Sequence, residues 1–124
     1  MIPKFRAFLK DTNQVLDVEI IFFKLCTVKL TNDKFYEFED IILMQSTGLH
    51  DDKGVEIFEG DIVEIIYDRE PFTGVVVYDL GETDFKATNN REDYGNNFQY
   101  LTVGESIEVI GNVHQHPELL EVEE

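Results

Sequence analysis

The residues best suited to metal chemistry are the three histidines, two of which lie close together in the segment His114-Gln115-His116. If this segment is a strand, side chains two positions apart share a face, so both imidazoles would point the same way, as zinc sites require. His50 is the third imidazole, and no feature of the sequence brings it near the other two. We expect ordinary surface histidines and no cofactor, while a metal centre built from all three histidines stays open.

Cys26 is the only cysteine, so no intramolecular disulfide can form. It lies in an apolar stretch, 20–30, in which no neighbouring side chain could act as the base for a catalytic thiolate. Unpaired cysteines are among the most buried residue types. We therefore predict a buried Cys26 with a structural role rather than a nucleophile.

Two short segments contain closely spaced carboxylates, DDKGVE at 51–56 and EGD at 59–61. In the first, Lys53 and Val55 occupy positions where a calcium loop needs oxygen ligands, so we predict a turn. The second could supply a carboxylate pair for acid–base catalysis, but a chain with 26 acidic residues contains many such pairs. The sequence has no glycine-rich phosphate loop and no nucleophile elbow. We therefore expect a protein that is not an enzyme.

Charge is distributed unevenly along the chain, whose formal net charge is -16. Residues 1–48 contain six basic and seven acidic residues, whereas residues 49–124 contain four basic and 19 acidic residues. Such a field repels phosphate backbones, so direct nucleic-acid binding by the second part is disfavoured and a basic protein is the natural partner. The alternative is an acidic surface that only keeps the protein soluble. The predicted partner surface consists of Asp79, Glu82, Asp84, Glu92 and Asp93.

The pattern of apolar residues predicts a mainly β protein with little helix. Most apolar runs are short, rich in Val, Ile, Phe and Tyr, and end at Gly, Asn or Asp. A polar connector, 68–73, joins two nearly continuous apolar strands, which indicates burial on both faces, as in a small closed barrel. Residues 88–97 are predicted to form a mobile loop, and 117–121 one helical turn. The predicted strands are 4–9, 15–23, 35–38, 41–45, 56–58, 62–67, 74–79, 85–87, 98–102 and 107–109.

A chain of 124 residues is expected to form a single compact unit, made of a β-rich N-terminal segment, 1–48, and an acidic C-terminal part, 49–124.

No apolar run approaches the roughly 20 residues needed to cross a bilayer, so we expect a cytoplasmic protein without membrane contact. The apolar run Val18–Phe23 could be a core strand or an exposed edge that pairs with another subunit. We expect a homo-oligomer.

Three segments of the chain carry recognisable motifs: KFRAF at 4–8, TGLHDDKGVEIFEGDIV at 47–63, and EVIGNV at 108–113 with PELL at 117–120. Together these segments resemble the YopX family of phage and prophage proteins. They occur in the order typical of the family. The resemblance implies an SH3-like β-barrel in the second part and no activity, because the function of the family is unknown. His114 and His116 depart from the family pattern, which argues against a family-wide metal site.

The motif residues are interpreted as structural. Gly48, Gly54 and Gly60 are expected at turns, and Asp61 is expected to accept backbone N–H bonds where the first barrel strand begins. A catalytic Asp61 is the alternative. The complete set of predicted structural positions is Gly48, Gly54, Gly60, Asp61, Gly111 and Asn112.

We interpret the chain as a phage or prophage accessory protein of the bacterial host cytoplasm that binds a host or phage protein through its acidic surface. DNA mimicry is one form of this hypothesis. One alternative is a nucleic-acid-associated small-barrel module, in which basic residues of the first part gather on one face. Another is an enzyme with an acidic dyad or a histidine-dependent metal centre. The basic residues of the first alternative are Lys4, Arg6, Lys10, Lys24 and Lys29.

Overall fold

The computed structural model describes residues 3–89, 98–102 and 104–120. It divides into two units, Met1–Ser46 and Thr47–Glu124, close to the predicted division between residues 48 and 49. The formation of a single compact unit stays a prediction. The mainly β prediction is confirmed, because the described helical segments are short 3₁₀ turns. Within the described residues, no helix is long and apolar enough to cross a membrane.

The first unit is an antiparallel sheet whose strands follow the order β4-β3-β2-β1-β5. Its core consists of alternating inward-facing side chains, with Ala7, Val28 and Leu30 fully buried. The last strand, β5, begins in this unit and ends in the second. The strands are β1 (Phe5–Leu9), β2 (Gln14–Phe22), β3 (Thr27–Leu30), β4 (Phe35–Glu37) and β5 (Ile41–His50).

The segment 23–30 differs from its prediction. The chain reverses in a 3₁₀ turn, Phe23–Leu25, and returns as β3, which the sequence pattern did not separate from the preceding strand. Cys26 follows this turn in a left-handed conformation, with φ of 51°, and is exposed. The prediction of a buried Cys26 is therefore wrong, because the residue lies at the reversal and not inside a strand.

The apolar run Val18–Phe23 belongs mostly to β2, which lies between β1 and β3 in the sheet order. Its residues Val18–Phe22 pair with β3 through a bulge. β2 is therefore not an edge strand that could accept a strand of a second subunit. The homo-oligomer stays a prediction.

The second unit contains an open five-stranded sheet with the order β10-β9-β8-β7-β11, while the short β6 lies beside β5. All pairs in the five-stranded sheet are antiparallel. The core contains Ile57, Val63, Ile65, Val76, Ala87 and Leu101. The strands are β6 (Glu56–Phe58), β7 (Asp61–Tyr67), β8 (Glu70–Asp79), β9 (Asp84–Thr88), β10 (Phe98–Tyr100) and β11 (Ser106–Asn112).

The five-stranded sheet does not close on itself. β10 and β11 lie at opposite ends of the strand order, and the described residues contain no pairing between them. Adjacent side chains of β7, Ile62 and Val63, are both fully buried, so the inferred burial on both faces is confirmed. The apolar pattern therefore predicted the burial correctly. Burial on both faces does not require that the sheet close into a barrel. The prediction of a closed barrel is wrong, and the structure has an open sheet in its place.

The connections of the second unit are tighter than predicted. Only Asp68 and Arg69 turn the chain between β7 and β8, and both have positive φ, as two-residue hairpins often require. The predicted helical turn is confirmed as a 3₁₀ turn, Pro117–Leu120. Of the predicted mobile loop 88–97, residues 90–97 lie outside the described part of the chain, and Thr88 ends β9.

Candidate functional site

The acidic motif at 51–55 is a turn organised by one carboxylate. Asp51 Oδ1 accepts hydrogen bonds from the backbone N–H groups of Lys53 (2.9 Å) and Val55 (2.8 Å), while Oδ2 accepts one from Val109 in β11 (2.9 Å). Burial opposes ionisation of this carboxyl, but the N–H groups of Val109, Val55 and Lys53 outweigh it, so the pKa of Asp51 is lowered. The predicted turn is confirmed, and its carboxylate accepts three backbone N–H groups of the fold.

The two residues after Asp51 also attach the turn to β11. The N–H of Asp52 donates to the carbonyl of Ile107 (3.0 Å), and the N–H of Ile107 donates to Asp52 Oδ2 (3.2 Å). The Lys53 ammonium pairs with Glu108 Oε2 at 2.8 Å. The motif therefore fastens two segments that are far apart in the sequence.

Asp61 and Gly60 make a second set of structural hydrogen bonds, at the start of β7. Asp61 is 1% exposed, and its Oδ2 accepts the backbone N–H of Phe58 at 2.8 Å, as predicted for the start of this strand. Gly60 has φ of 89°, and its N–H donates to the carbonyl of Val76 (2.8 Å). A carboxylate so completely buried is out of reach of a substrate in solvent, which argues against a catalytic Asp61.

The predicted structural glycines differ in their surroundings. Gly54 lies in the Asp51 turn with φ of 85°, as expected. Gly48 also has positive φ, 82°, but it lies within β5 and not in a turn. Gly111 is required by close packing, because an added Cβ would lie 2.8 Å from both His116 Nδ1 and Leu119 Cδ1.

Asn112 and His116 organise the turn that follows β11. The side-chain oxygen of Asn112 accepts the N–H groups of His114 (3.1 Å) and Gln115 (2.8 Å), while the Asn112 N–H donates to His116 Nδ1 (3.2 Å). His114 and His116 thus lie in a turn and not on one face of a strand, so the geometry that motivated a metal pair is absent. No group of three or more His, Cys, Asp or Glu side chains in residues 3–89, 98–102 and 104–120 is arranged to hold a metal ion.

Three residues of the predicted acidic surface meet at the turn between β8 and β9. Asp79 Oδ1 accepts the N–H groups of Gly81 (2.8 Å) and Glu82 (3.1 Å), which shapes the turn. Asp84 lies opposite Asp79 in the strand pair. The remaining two predicted residues, Glu92 and Asp93, lie outside the described part of the chain.

Lys86 is the member of this group that the sequence analysis missed. It is 3% exposed, and its ammonium contacts Asp79 Oδ2 and, at 3.5 Å, Glu82 Oε1. The other oxygen of Glu82 accepts the Tyr100 hydroxyl at 2.7 Å. Alternation along each strand puts 77 and 79 on one face and 84 and 86 on one face, but only the register of the pair brings Lys86 beside Asp79. Two residues of the predicted acidic surface are therefore bound to a buried cation.

These contacts shift the pKa values of Lys86, Asp79 and Tyr100. The hydrogen bond with Asp79 raises the pKa of Lys86 despite burial, and Lys86 lowers the pKa of Asp79. The Glu82 carboxylate raises the pKa of Tyr100. At neutral pH Lys86 stays protonated and Asp79 stays ionised, so neither is suited to act as a general base, a general acid or a nucleophilic amine.

An open cleft of about 470 Å³ lies beside this ion cluster. Its walls combine the charged side chains of Glu59, Asp79 and Lys86 with the apolar surfaces of Val77, Tyr78 and Leu80. We call it the Asp79 cleft. Leu80 is 83% exposed and Tyr78 is 39% exposed. The Tyr78 ring packs edge-on against Phe85, with 4.9 Å between ring centroids.

Comparison with known proteins identifies the family of this fold. Among solved structures, the chain is similar to the crystal structure of protein EF1440 from Enterococcus faecalis, with 28% identity, a TM-score of 0.69 and coverage of 98% of this chain and 99% of that chain. It is also similar in fold to the crystal structure of protein yopX from Bacillus subtilis, with 24% identity, a TM-score of 0.59 and coverage of 95% and 98%. No curated protein matches the chain. The family described as YopX protein matches residues 4–121, and the chain therefore belongs to the YopX family.

Proposed function

We propose that this chain is a non-enzymatic protein-binding module and that the second unit binds a basic partner protein through its acidic surface. The observation that carries the proposal is the concentration of charge, since residues 47–124 contain 19 acidic and four basic residues. A field of this sign attracts basic proteins and repels nucleic acid over the range of a Debye length.

The local arrangement of charge supports the same proposal. Two of the four basic residues already pair with carboxylates of their own unit, Lys53 with Glu108 and Lys86 with Asp79. Their positive charge is therefore offset where it occurs. Exposed carboxylates remain along the strands and turns of the five-stranded sheet, among them Asp68, Glu70 and Asp84.

The protonation states of three groups with shifted pKa values support the non-enzymatic part of the proposal. The pKa values of Asp51 and Asp79 are lowered and that of Lys86 is raised, so each is held in its charged form. General acid–base catalysis needs groups that exchange protons near the working pH. These three residues serve the fold and its surface charge.

The setting of this function is the host cytoplasm, where the protein acts as a phage or prophage accessory protein. Its partner is a host or phage protein with a basic surface. DNA mimicry is the most specific form of the proposal, because clustered carboxylates can take the place of phosphates in a groove that normally binds DNA.

Affinity capture with matched charge variants tests this function. The tagged protein is incubated with a bacterial lysate at low salt, washed with increasing salt, and treated with nuclease in parallel. The test variant carries Asp68→Asn, Glu70→Gln and Asp84→Asn in the second unit. The control carries the same number of neutralised exposed carboxylates in the first unit, Asp11→Asn, Glu37→Gln and Glu39→Gln.

A defined protein partner, released by salt and indifferent to nuclease, is expected to be weakened by the test variant and retained by the control. Equal retention by both variants would contradict binding through the acidic surface. Capture that disappears with nuclease would favour a nucleic-acid module that uses the basic residues of the first unit.

A further inference from the structure

We propose that two copies of this chain associate through β4, by antiparallel pairing of one β4 strand with the other. The inference goes beyond the proposed function, because it concerns the first unit and requires no partner of a different kind. It rests on the open edge of β4, on the exposed aromatic side chains beside that edge, and on the nearly neutral charge of the unit.

β4 is the last strand in the order of its sheet, so one of its edges lacks a neighbouring strand in the described part of the chain. The N–H of Phe38 donates to the carbonyl of Cys26 at 2.9 Å, which is a hydrogen-bonded position between the β3 and β4 segments. Hydrogen-bonded positions alternate along an antiparallel pair. Tyr36 therefore bonds to β3, whereas the N–H and C=O groups of Phe35 and Glu37 point away from β3.

The edge of β11 shows how this chain covers a strand edge elsewhere. There the N–H groups of Ile107 and Val109 donate to the carboxylates of Asp52 and Asp51. Proteins commonly protect an exposed edge in this way, or with lysine and proline. The sequence of β4 is FYE, which contains neither lysine nor proline. β4 is therefore suited to accept a further strand.

Exposed apolar side chains flank the open edge of β4. Phe35 is 60% exposed, and its ring centroid lies 6.1 Å from that of Phe22. Beyond the other end of the strand, the 74% exposed Phe23 packs edge-on against Phe38, and Leu25 is also exposed. Exposed apolar patches mark interaction sites, and aromatic residues are enriched in protein interfaces. A strand that pairs with β4 would bury apolar surface as well as form hydrogen bonds.

The outward-facing groups of β4 are self-complementary, as a two-fold contact requires. If two β4 strands run antiparallel with Tyr36 at the centre, Phe35 of each copy lies opposite Glu37 of the other. Both of these pairs are then of the hydrogen-bonded type, in which each pair exchanges two N–H···O bonds. The two Phe35 rings lie on the same face in diagonal positions, within reach of each other.

The distribution of charge favours a second copy as the occupant of this edge. Residues 1–48 contain six basic and seven acidic residues, whereas residues 49–124 contain four basic and 19 acidic residues. A contact through the first unit brings nearly neutral surfaces together, while a contact through the second unit would join surfaces of like charge. The first unit also has no excess of charge that would attract a strongly basic or strongly acidic strand.

The main test removes the outward N–H of Glu37 and leaves the pairing with β3 intact. Proline is tolerated on an edge strand where the N–H faces solvent, and the φ of Glu37, -79°, suits proline. The full-length native protein, Glu37→Pro and Glu37→Ala are compared by sedimentation equilibrium. We expect similar dimer Kd values for the native protein and Glu37→Ala. Glu37→Pro should raise the Kd at least about tenfold, because each dimer loses two hydrogen bonds.

A second variant tests the aromatic side chains. Phe35→Ala should raise the dimer Kd about fivefold, because both copies lose apolar surface that the contact buries. Leu80→Ala is the matched control, since it removes an exposed apolar side chain from the second unit and should leave the Kd unchanged. Circular dichroism of each variant establishes that it is folded.

Cys26 allows a distance to be measured across the proposed contact, because it is exposed and is the only cysteine of the chain. A nitroxide label is attached to Cys26 of each copy. In the proposed dimer the strands follow the order β3-β4-β4-β3, and strand spacing and rise place the two Cys26 Cα atoms roughly 20 Å apart. Double electron–electron resonance should give distances near this value, lengthened by the label arms, and Glu37→Pro should abolish the signal.

A protein that stays monomeric at every concentration overturns the proposal. So does a dimer that persists in both Glu37→Pro and Phe35→Ala, or one whose labels lie beyond roughly 40 Å, because the contact is then elsewhere. A monomer that captures a different protein through Phe35 assigns the edge to that protein and also removes the second copy. None of these outcomes changes the capture of a basic protein by the second unit, so the two proposals fail separately.

Discussion

The carboxylate of Asp51 accepts a hydrogen bond from the backbone N–H of Val109, 2.9 Å away and 58 residues further along the chain. The same carboxylate holds the N–H groups of Lys53 and Val55. One side chain thus determines the shape of a local turn and attaches that turn to β11. The most distinctive segment of the sequence, 47–63, therefore has a structural role within the second unit.

Replacement of Asp51 by alanine should destabilise the second unit. Three backbone N–H groups lose their acceptor, and a loss of this kind costs about 1–3 kcal/mol of unfolding free energy. Urea unfolding followed by circular dichroism measures the change. Asp52→Ala is the matched control, because Asp52 is exposed and accepts one longer bond from Ile107, so its cost should be smaller. Equal effects of the two variants would contradict the role assigned to Asp51.

The lowered pKa of Asp51 predicts a specific dependence of stability on pH. A carboxyl whose folded-state pKa is depressed stabilises the fold above its unfolded value, here 3.8, and loses that contribution as pH falls through the folded-state pKa. Asp79 is shifted in the same direction. Urea midpoints measured from pH 7 down to pH 2.5 should therefore fall below about pH 4 in the native protein. The gap between the native protein and Asp51→Asn should narrow over that window, and a constant gap would refute the assignment.

Gly111→Ala should displace His116. The added Cβ would lie 2.8 Å from His116 Nδ1 and from Leu119 Cδ1, and overpacking of this kind costs about 1–3 kcal/mol. We expect the hydrogen bond from the Asn112 N–H to His116 Nδ1 to break, which would change the ¹⁵N shifts of the imidazole. Gly54→Ala is the comparison, since a Cβ there meets nothing within 4 Å and the cost arises from positive φ alone. An unchanged His116 spectrum in Gly111→Ala would contradict this packing.

Lys86→Met should leave Asp79 and Glu82 without their counter-charge. The resulting repulsion lowers thermal stability, by about 5 °C for each kcal/mol lost from a unit of this size. Added salt should restore part of the loss, because it screens like charges at the surface. A melting temperature equal to that of the native protein, or one that does not respond to salt in the variant, would show that the ion cluster is not coupled to the fold.

Sequence patterns predicted the local structure well and the long-range structure less well. The apolar runs around Ile62 and Val76 predicted strands because strand propensity and burial are local signals. The register that brings Val77 opposite Lys86 depends on how the two strands pair, and it cannot be predicted from the sequence of either strand alone. For that reason the acidic surface at Asp79 was predicted without its buried cation.

Errors at other positions have similarly physical causes. The reversal at 23–26 lacks Gly, Pro and Asn, so β2 and β3 were interpreted as one apolar stretch and Cys26 was placed inside it. The barrel was inferred from burial on both faces of β7, a property that an open sheet can also have. Asp61 was interpreted correctly because its role is local and requires only the turn from Phe58.

The position of β11 has a consequence for the synthesis of the protein. β7 lies between β8 and β11, and residues 106–112, which form β11, are synthesised after the residues of β7 and β8. Until they arrive, one edge of Ile62–Tyr67, an apolar segment rich in β-branched residues, has no partner strand, and such edges favour aggregation. A chain interrupted before residue 106 would keep that edge exposed, so the last strand protects the nascent protein from self-association as well as completing its sheet.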